Sequence, residues 1–95
     1  MKKFLIRREM EGASSVPKHE MNKGGKASEK ILEEMRNEGK MIKQETSYVA
    51  GNNVFCVYNA DSEELIKEHA ERSGGVASEI TEVTTVINHN TSVVS

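Results

Sequence analysis

An α+β domain with the element order β-α-β-β-α-β is what this sequence predicts, and three features predict it. The apolar run Val54-Phe55-Cys56-Val57-Tyr58 leads straight into an amphipathic helix marked by Leu65, Ile66, His69 and Ala70. A tight Ala50-Gly51-Asn52-Asn53 reversal joins that run to the strand before it, because Gly and Asn tolerate positive φ. An earlier strand-then-helix pair opens the chain at Phe4-Leu5-Ile6.

Each element has a local cause. Residues 2–9 form a strand with Phe4, Ile6 and Arg8 on one face and Leu5, Arg7 and Glu9 on the other. Pro17 suits the first turn of a helix and Glu20 its positive end. That helix runs to about Asn37, with Met21, Ser28, Ile31, Leu32 and Met35 on its buried face and Asn37 or Gly39 as its stop. Gly24 and Gly25 share this face and imply a close approach to the sheet, or fraying. The second strand spans about 41–49 and the third 54–59; the third is apolar at odd and even positions, so both its faces are expected to be covered. Asp61 or Ser62 caps the second helix and Gly74-Gly75 ends it. A β-branched segment, about 79–87, is the fourth strand.

Two right-handed β-α-β units place both helices on one face of a four-stranded antiparallel sheet. This is the ferredoxin-like arrangement. Residues 1–88 make the single domain and 89–95 a loose tail. The other sheet face, assigned Arg7, Glu9, Glu45 and Ser47, has no cover within one chain. A homodimer with two sheets facing each other is therefore expected, with a pocket between or beside them. Such a small domain with few aromatics gains most from that burial.

Net charge is −2, with 13 basic and 15 acidic residues intermixed, so no basic stripe marks a nucleic-acid or anionic-membrane partner. Phe55 and Tyr58 fall on opposite strand faces, which excludes the paired aromatics of an RNA-recognition sheet. A single cysteine forms no intrachain disulfide and fits a reducing compartment. Only Phe4-Leu5-Ile6 separates Lys3 from Arg7, too short for a signal core, and no apolar run reaches membrane-spanning length. A cytoplasmic protein is expected.

Few residues carry chemistry. No Ser-His-Asp order, Walker loop, GxGxxG, CxxC or HExxH occurs, which argues against an enzyme without settling it. Cys56 reads as a small buried hydrophobe or as a thiolate ligand. His69, on the inner helix face, reads as a hydrogen-bonded core histidine or as a metal ligand. Glu9 and Glu45 are strand carboxylates that need a partner if they face inward, either an arginine or a metal. His19 and His89 read as solvated.

Several segments together resemble a known family. Phe4-Leu5-Ile6-Arg7-Arg8-Glu9-Met10-Glu11-Gly12-Ala13, Ser47-Tyr48-Val49, Cys56-Val57-Tyr58-Asn59-Ala60, Glu63 through Ala70, and Glu82-Val83-Thr84-Thr85-Val86-Ile87 look like the small bacterial domain-of-unknown-function family that contains a nickel-binding ferredoxin-like protein. The resemblance implies a ferredoxin-like fold, a homodimer of the dimeric α/β-barrel type and nickel binding, with no established catalysis. Cys56 and His69 stand at positions typical of the family. The chain departs at Thr46, where relatives often have His, at Gly74-Gly75-Val76 in place of Gly-Phe-Pro, and at Asn88-His89 in place of Asp-Pro. The function expected is binding of nickel or another divalent transition metal by Cys56 and His69, with Glu9 or Glu45 completing the shell. The alternative is a small-molecule binder or enzyme using a barrel cavity, with Arg7, Glu45, Tyr48 or His69 orienting a polar substrate.

Overall fold

The computed structural model describes residues 1–90 and Ser92. Four strands and two long helices follow one another as β1 (Lys2–Glu9), α1 (Lys18–Asn37), β2 (Ile42–Ala50), β3 (Asn53–Ala60), α2 (Glu63–Ser73) and β4 (Glu79–Glu82), with a short 3-10 turn at Ala13–Ser15. The strands lie in the order β2-β3-β1-β4, antiparallel throughout. The fold is the expected βαββαβ α+β arrangement. The expected tail over 89–95 falls partly outside the described residues.

Alternation on β1 places Phe4 and Ile6 in the core, and β3 contributes Cys56, Tyr58 and Ala60 from the same face. Leu32 and Met35 of α1 and Ile66, His69 and Ala70 of α2 cover them. Each fully buried aliphatic of this set contributes roughly 1.5–3 kcal/mol relative to exposure. The core sits under the second half of α1, and none of the first half of that helix is fully buried. Gly39, at φ 86, lets Lys40 N–H reach the Met35 carbonyl and ends α1. Gly51, at φ 59, turns the β2–β3 hairpin, and its carbonyl accepts from Ser14 N–H at 3.0 Å. The β1–α1 loop is tied to that hairpin a second time through Met10 N–H and the Asn52 carbonyl, 2.8 Å.

Three expectations change. β4 stops at Glu82 rather than running to 87. Its partner β1 begins at Lys2, and after Val83 N–H bonds the Lys3 carbonyl at 2.8 Å the sheet offers little further to pair with. Ser47 lies on the helix-covered face, opposite Cys56, because a β-bulge between Gln44 and Thr46 inserts Glu45 and reverses the alternation beyond it. Neither Gly24 nor Gly25 makes a close approach: a Cβ at either would meet nothing within 4 Å. The outward face of β3 is half-buried in this single chain, and Leu5 and Tyr48 beside it are exposed.

Candidate functional site

Where the first half of α1 lifts off the sheet, a cavity of about 1040 Å³ opens. Its floor is the inner face of the sheet beyond the core: Arg8 follows Phe4 and Ile6 on β1, Val54 and Cys56 precede Tyr58 on β3, and Gln44, Ser47 and Val49 come from β2. Met21, Gly24, Gly25, Ser28 and Ile31 of α1 form the roof, and the Gly74-Gly75-Val76 loop closes one side. The two helix glycines thus leave space where larger side chains would have filled it.

The polar groups here form one directed hydrogen-bond chain across five elements. Arg8 Nη2 donates to Tyr58 Oη at 2.8 Å. Tyr58 Oη donates to His69 Nδ1 at 3.0 Å. His69 Nε2 lies 3.2 Å from the Ser28 carbonyl and 3.1 Å from Ser28 Oγ. A carbonyl only accepts, so Nε2 carries the imidazole proton and Nδ1 is the acceptor. Ser28 Oγ donates to Gln44 Oε1 (3.3 Å), Gln44 Nε2 to Ser47 Oγ (2.6 Å), and Ser47 Oγ to Cys56 Sγ (3.3 Å). The bulge makes the last links possible, since it turns Ser47 inward beside Gln44, which already faces inward opposite Tyr58. Among the described residues no buried side-chain nitrogen or oxygen lacks a partner.

Electrostatics follow from burial. Desolvation lowers the pKa of His69, which holds it as neutral imidazole. Burial pushes the Tyr58 phenol up to about 12, against the opposing pull of Arg8. Arg8 itself bonds only neutral acceptors, Tyr58 Oη and the Val76 carbonyl at 3.2 Å.

The expected metal set is spread over two faces. Cys56 is buried on the helix side, and its sulfur accepts from Ser47. His69 is fully buried behind Tyr58 and Ser28 with both ring nitrogens engaged. Glu9 pairs with Arg7 at 3.0 Å, and Glu45 with Lys3 at 3.1 Å and Asn59 at 2.9 Å, both exposed on the opposite side of the sheet. Among the described residues no three His, Cys, Asp or Glu side chains converge as a metal-holding group. Within one copy, these side chains as placed do not form a nickel shell. Of the expected substrate-orienting residues, His69 backs the cavity, whereas Arg7, Glu45 and Tyr48 belong to the open face. His19 and His89 are exposed.

Sequence reading missed Arg8, Ser28 and Gln44 as site residues. The signal for Arg8 was present in the alternation Phe4, Ile6, Arg8, whose third inward position lies past the end of the core. No local signal announced the bulge that brings Ser47 to the same face as Gln44.

No helix among the described residues is long and apolar enough to cross a membrane. A comparison with curated proteins finds no match. A crystal structure of SCO4226 from Streptomyces coelicolor A3(2) is similar in fold, with a TM-score of 0.72 at 19% identity, covering 90% of this chain and 99% of that one. The family model described as "Nickel responsive protein SCO4226-like" matches residues 4–83. With most of its length matched, the chain belongs to the SCO4226-like family of nickel responsive proteins.

Proposed function

We propose that this protein is a binding protein with a nickel-related role, and that it takes a small ligand into the cavity between α1 and the sheet. The observation that carries this reading is the cavity itself, with an apolar roof and a satisfied polar chain along its floor and wall. Ligand sites are typically concave and mostly apolar, with a few placed polar groups. Nothing in the chain of donors and acceptors pairs a nucleophile with a free base, which favours binding over catalysis. A thermal-shift screen of nickel and small metabolites tests it. Stabilisation by a compound that Gly25→Leu abolishes supports the reading. If no compound stabilises the protein or shifts the NMR signals of Met21, Ile31 and Val54, the reading fails.

A second reading is favoured by the family match: a divalent ion such as nickel bound directly, with Cys56 as thiolate ligand. His69 would join only by giving up Tyr58 or Ser28, and Glu9 or Glu45 would have to come from a second copy. Nickel titration of metal-free protein, repeated with Cys56→Ser and His69→Ala, tests it; unchanged stoichiometry and affinity in both variants removes those ligands. The half-covered outer side of β3, with Leu5 and Tyr48 beside it, supports a homodimer through the open sheet face. The lone unpaired cysteine supports a cytoplasmic location.

A further inference from the structure

We infer that the cavity takes a small organic anion with an apolar body, its carboxylate or equivalent head group held by the Arg8 guanidinium. This rests on the cavity-binding reading above and adds the chemical class of the ligand.

The first argument is charge. Arg8 is partly buried at the cavity floor, and among the described residues it makes no ion pair. Removing a guanidinium from water without a counter-ion is costly. Lys18 and Lys26 at the rim are likewise without a carboxylate partner among the described residues. Of the two acids in the segments that line the cavity, Glu9 turns its carboxylate to the opposite side of the sheet, where Arg7 pairs with it at 3.0 Å, and Glu29 is neutralised by Arg36 at 2.5 Å. The cavity is therefore cationic, which disfavours a bare metal ion and favours an anion.

The second argument is geometry. A guanidinium carries five N–H donors. Arg8 uses two bonds to fix its plane, to Tyr58 Oη and the Val76 carbonyl, and keeps donors free. Tyr58 is fixed in turn by His69, and His69 by Ser28. The arginine is thus pre-aligned for a planar, two-oxygen acceptor. Gly75 makes room for it: a Cβ there would stand 2.7 Å from Arg8 Nη1. The third argument is the remaining wall. Met21, Ile31, Val49 and Val54 add an apolar lining to the same cavity, with Val54 directly across the sheet from Arg8, which suits a hydrocarbon body rather than a second charge.

The test compares octanoate with octanol, by calorimetry and by NMR, on the whole chain. Octanoate is expected to bind at least about tenfold more tightly than octanol, the preference one charge-assisted bond supplies. Arg8→Gln removes that preference and Arg8→Lys keeps part of it, with folding of each checked by thermal unfolding. Equal binding of acid and alcohol to the wild-type chain overturns the anionic class and leaves the cavity reading standing. Should neither probe shift the cavity signals, both fall. The acid-over-alcohol comparison needs no variant, so a misfolded Arg8→Gln does not obscure the result.

Discussion

Tyr58 is the hinge of the polar chain, because its hydroxyl is both the acceptor for Arg8 and the donor for His69. Tyr58→Phe keeps the ring's packing and removes both bonds, leaving a buried imidazole nitrogen without its donor. A loss of about 1–3 kcal/mol is expected, read by urea unfolding. Its partner His69 predicts the acid side of the stability profile. Burial lowers the folded pKa, so below about 6.5 the unfolded chain binds the extra proton and stability falls as pH drops. Tyr58 predicts the alkaline side. Its folded pKa is raised to about 12, so above about 10 the unfolded chain loses its proton first and stability falls again. Unfolding followed against pH should show a plateau between these limits. His69→Gln should flatten the acid limb attributable to this group; an unchanged limb would assign it to other residues.

At the scale of elements, α1 is a helix of unequal halves. Its second half carries Leu32 and Met35 into the core, while its first half roofs the cavity with two glycines at which an added Cβ would meet nothing within 4 Å. Gly25→Ala should raise stability by about 0.5–1 kcal/mol, since helix propensity improves and nothing clashes. Gly25→Leu should also fold but fill the space and weaken ligand binding, so stability and binding move in opposite directions; calorimetry beside thermal unfolding checks this. The far end of α1 is joined to α2 by charge. Glu38 bonds Arg72 at 2.6 and 2.8 Å and Lys40 at 3.0 Å, and these hold its carboxyl down to about 2. Lys40 and Arg72 also reach Glu68. Periodicity made α1, α2 and the first three strands legible, because apolar spacing is what packs them. It failed at β4, whose β-branched run continues past Glu82 although β1 has only Lys2 and Lys3 left in that register. It failed again at Ser47, because nothing in Gln44-Glu45-Thr46 marks a bulge. Cys56 and His69 were found as inward-facing residues, but the Ser28–Gln44 link that connects them depends on how α1 lies across β2, which no local pattern encodes.

The whole molecule has one packed side and one open side. Leu5, Phe55, Val57 and Tyr48 are partly or largely exposed on the outer sheet face, edged by the Lys3–Glu45 and Arg7–Glu79 pairs. If a second copy covers this face, the melting temperature should rise with protein concentration, and Leu5→Lys should abolish that rise. A concentration-independent melting curve with a monomeric mass would oppose it. The family and the fold were readable in the chain because they rest on spacing; the cavity was not, because it is defined by what α1 does not touch.

The placement of the two tyrosines has a practical result. The protein has no tryptophan, and its tyrosines stand on opposite sides of the sheet, Tyr58 buried beside the cavity and Tyr48 exposed on the outer surface. Intrinsic fluorescence therefore carries two separable optical reporters. Quenching or brightening that survives Tyr48→Phe comes from the ligand side, and a signal that disappears with it comes from subunit contact, without any dye attached.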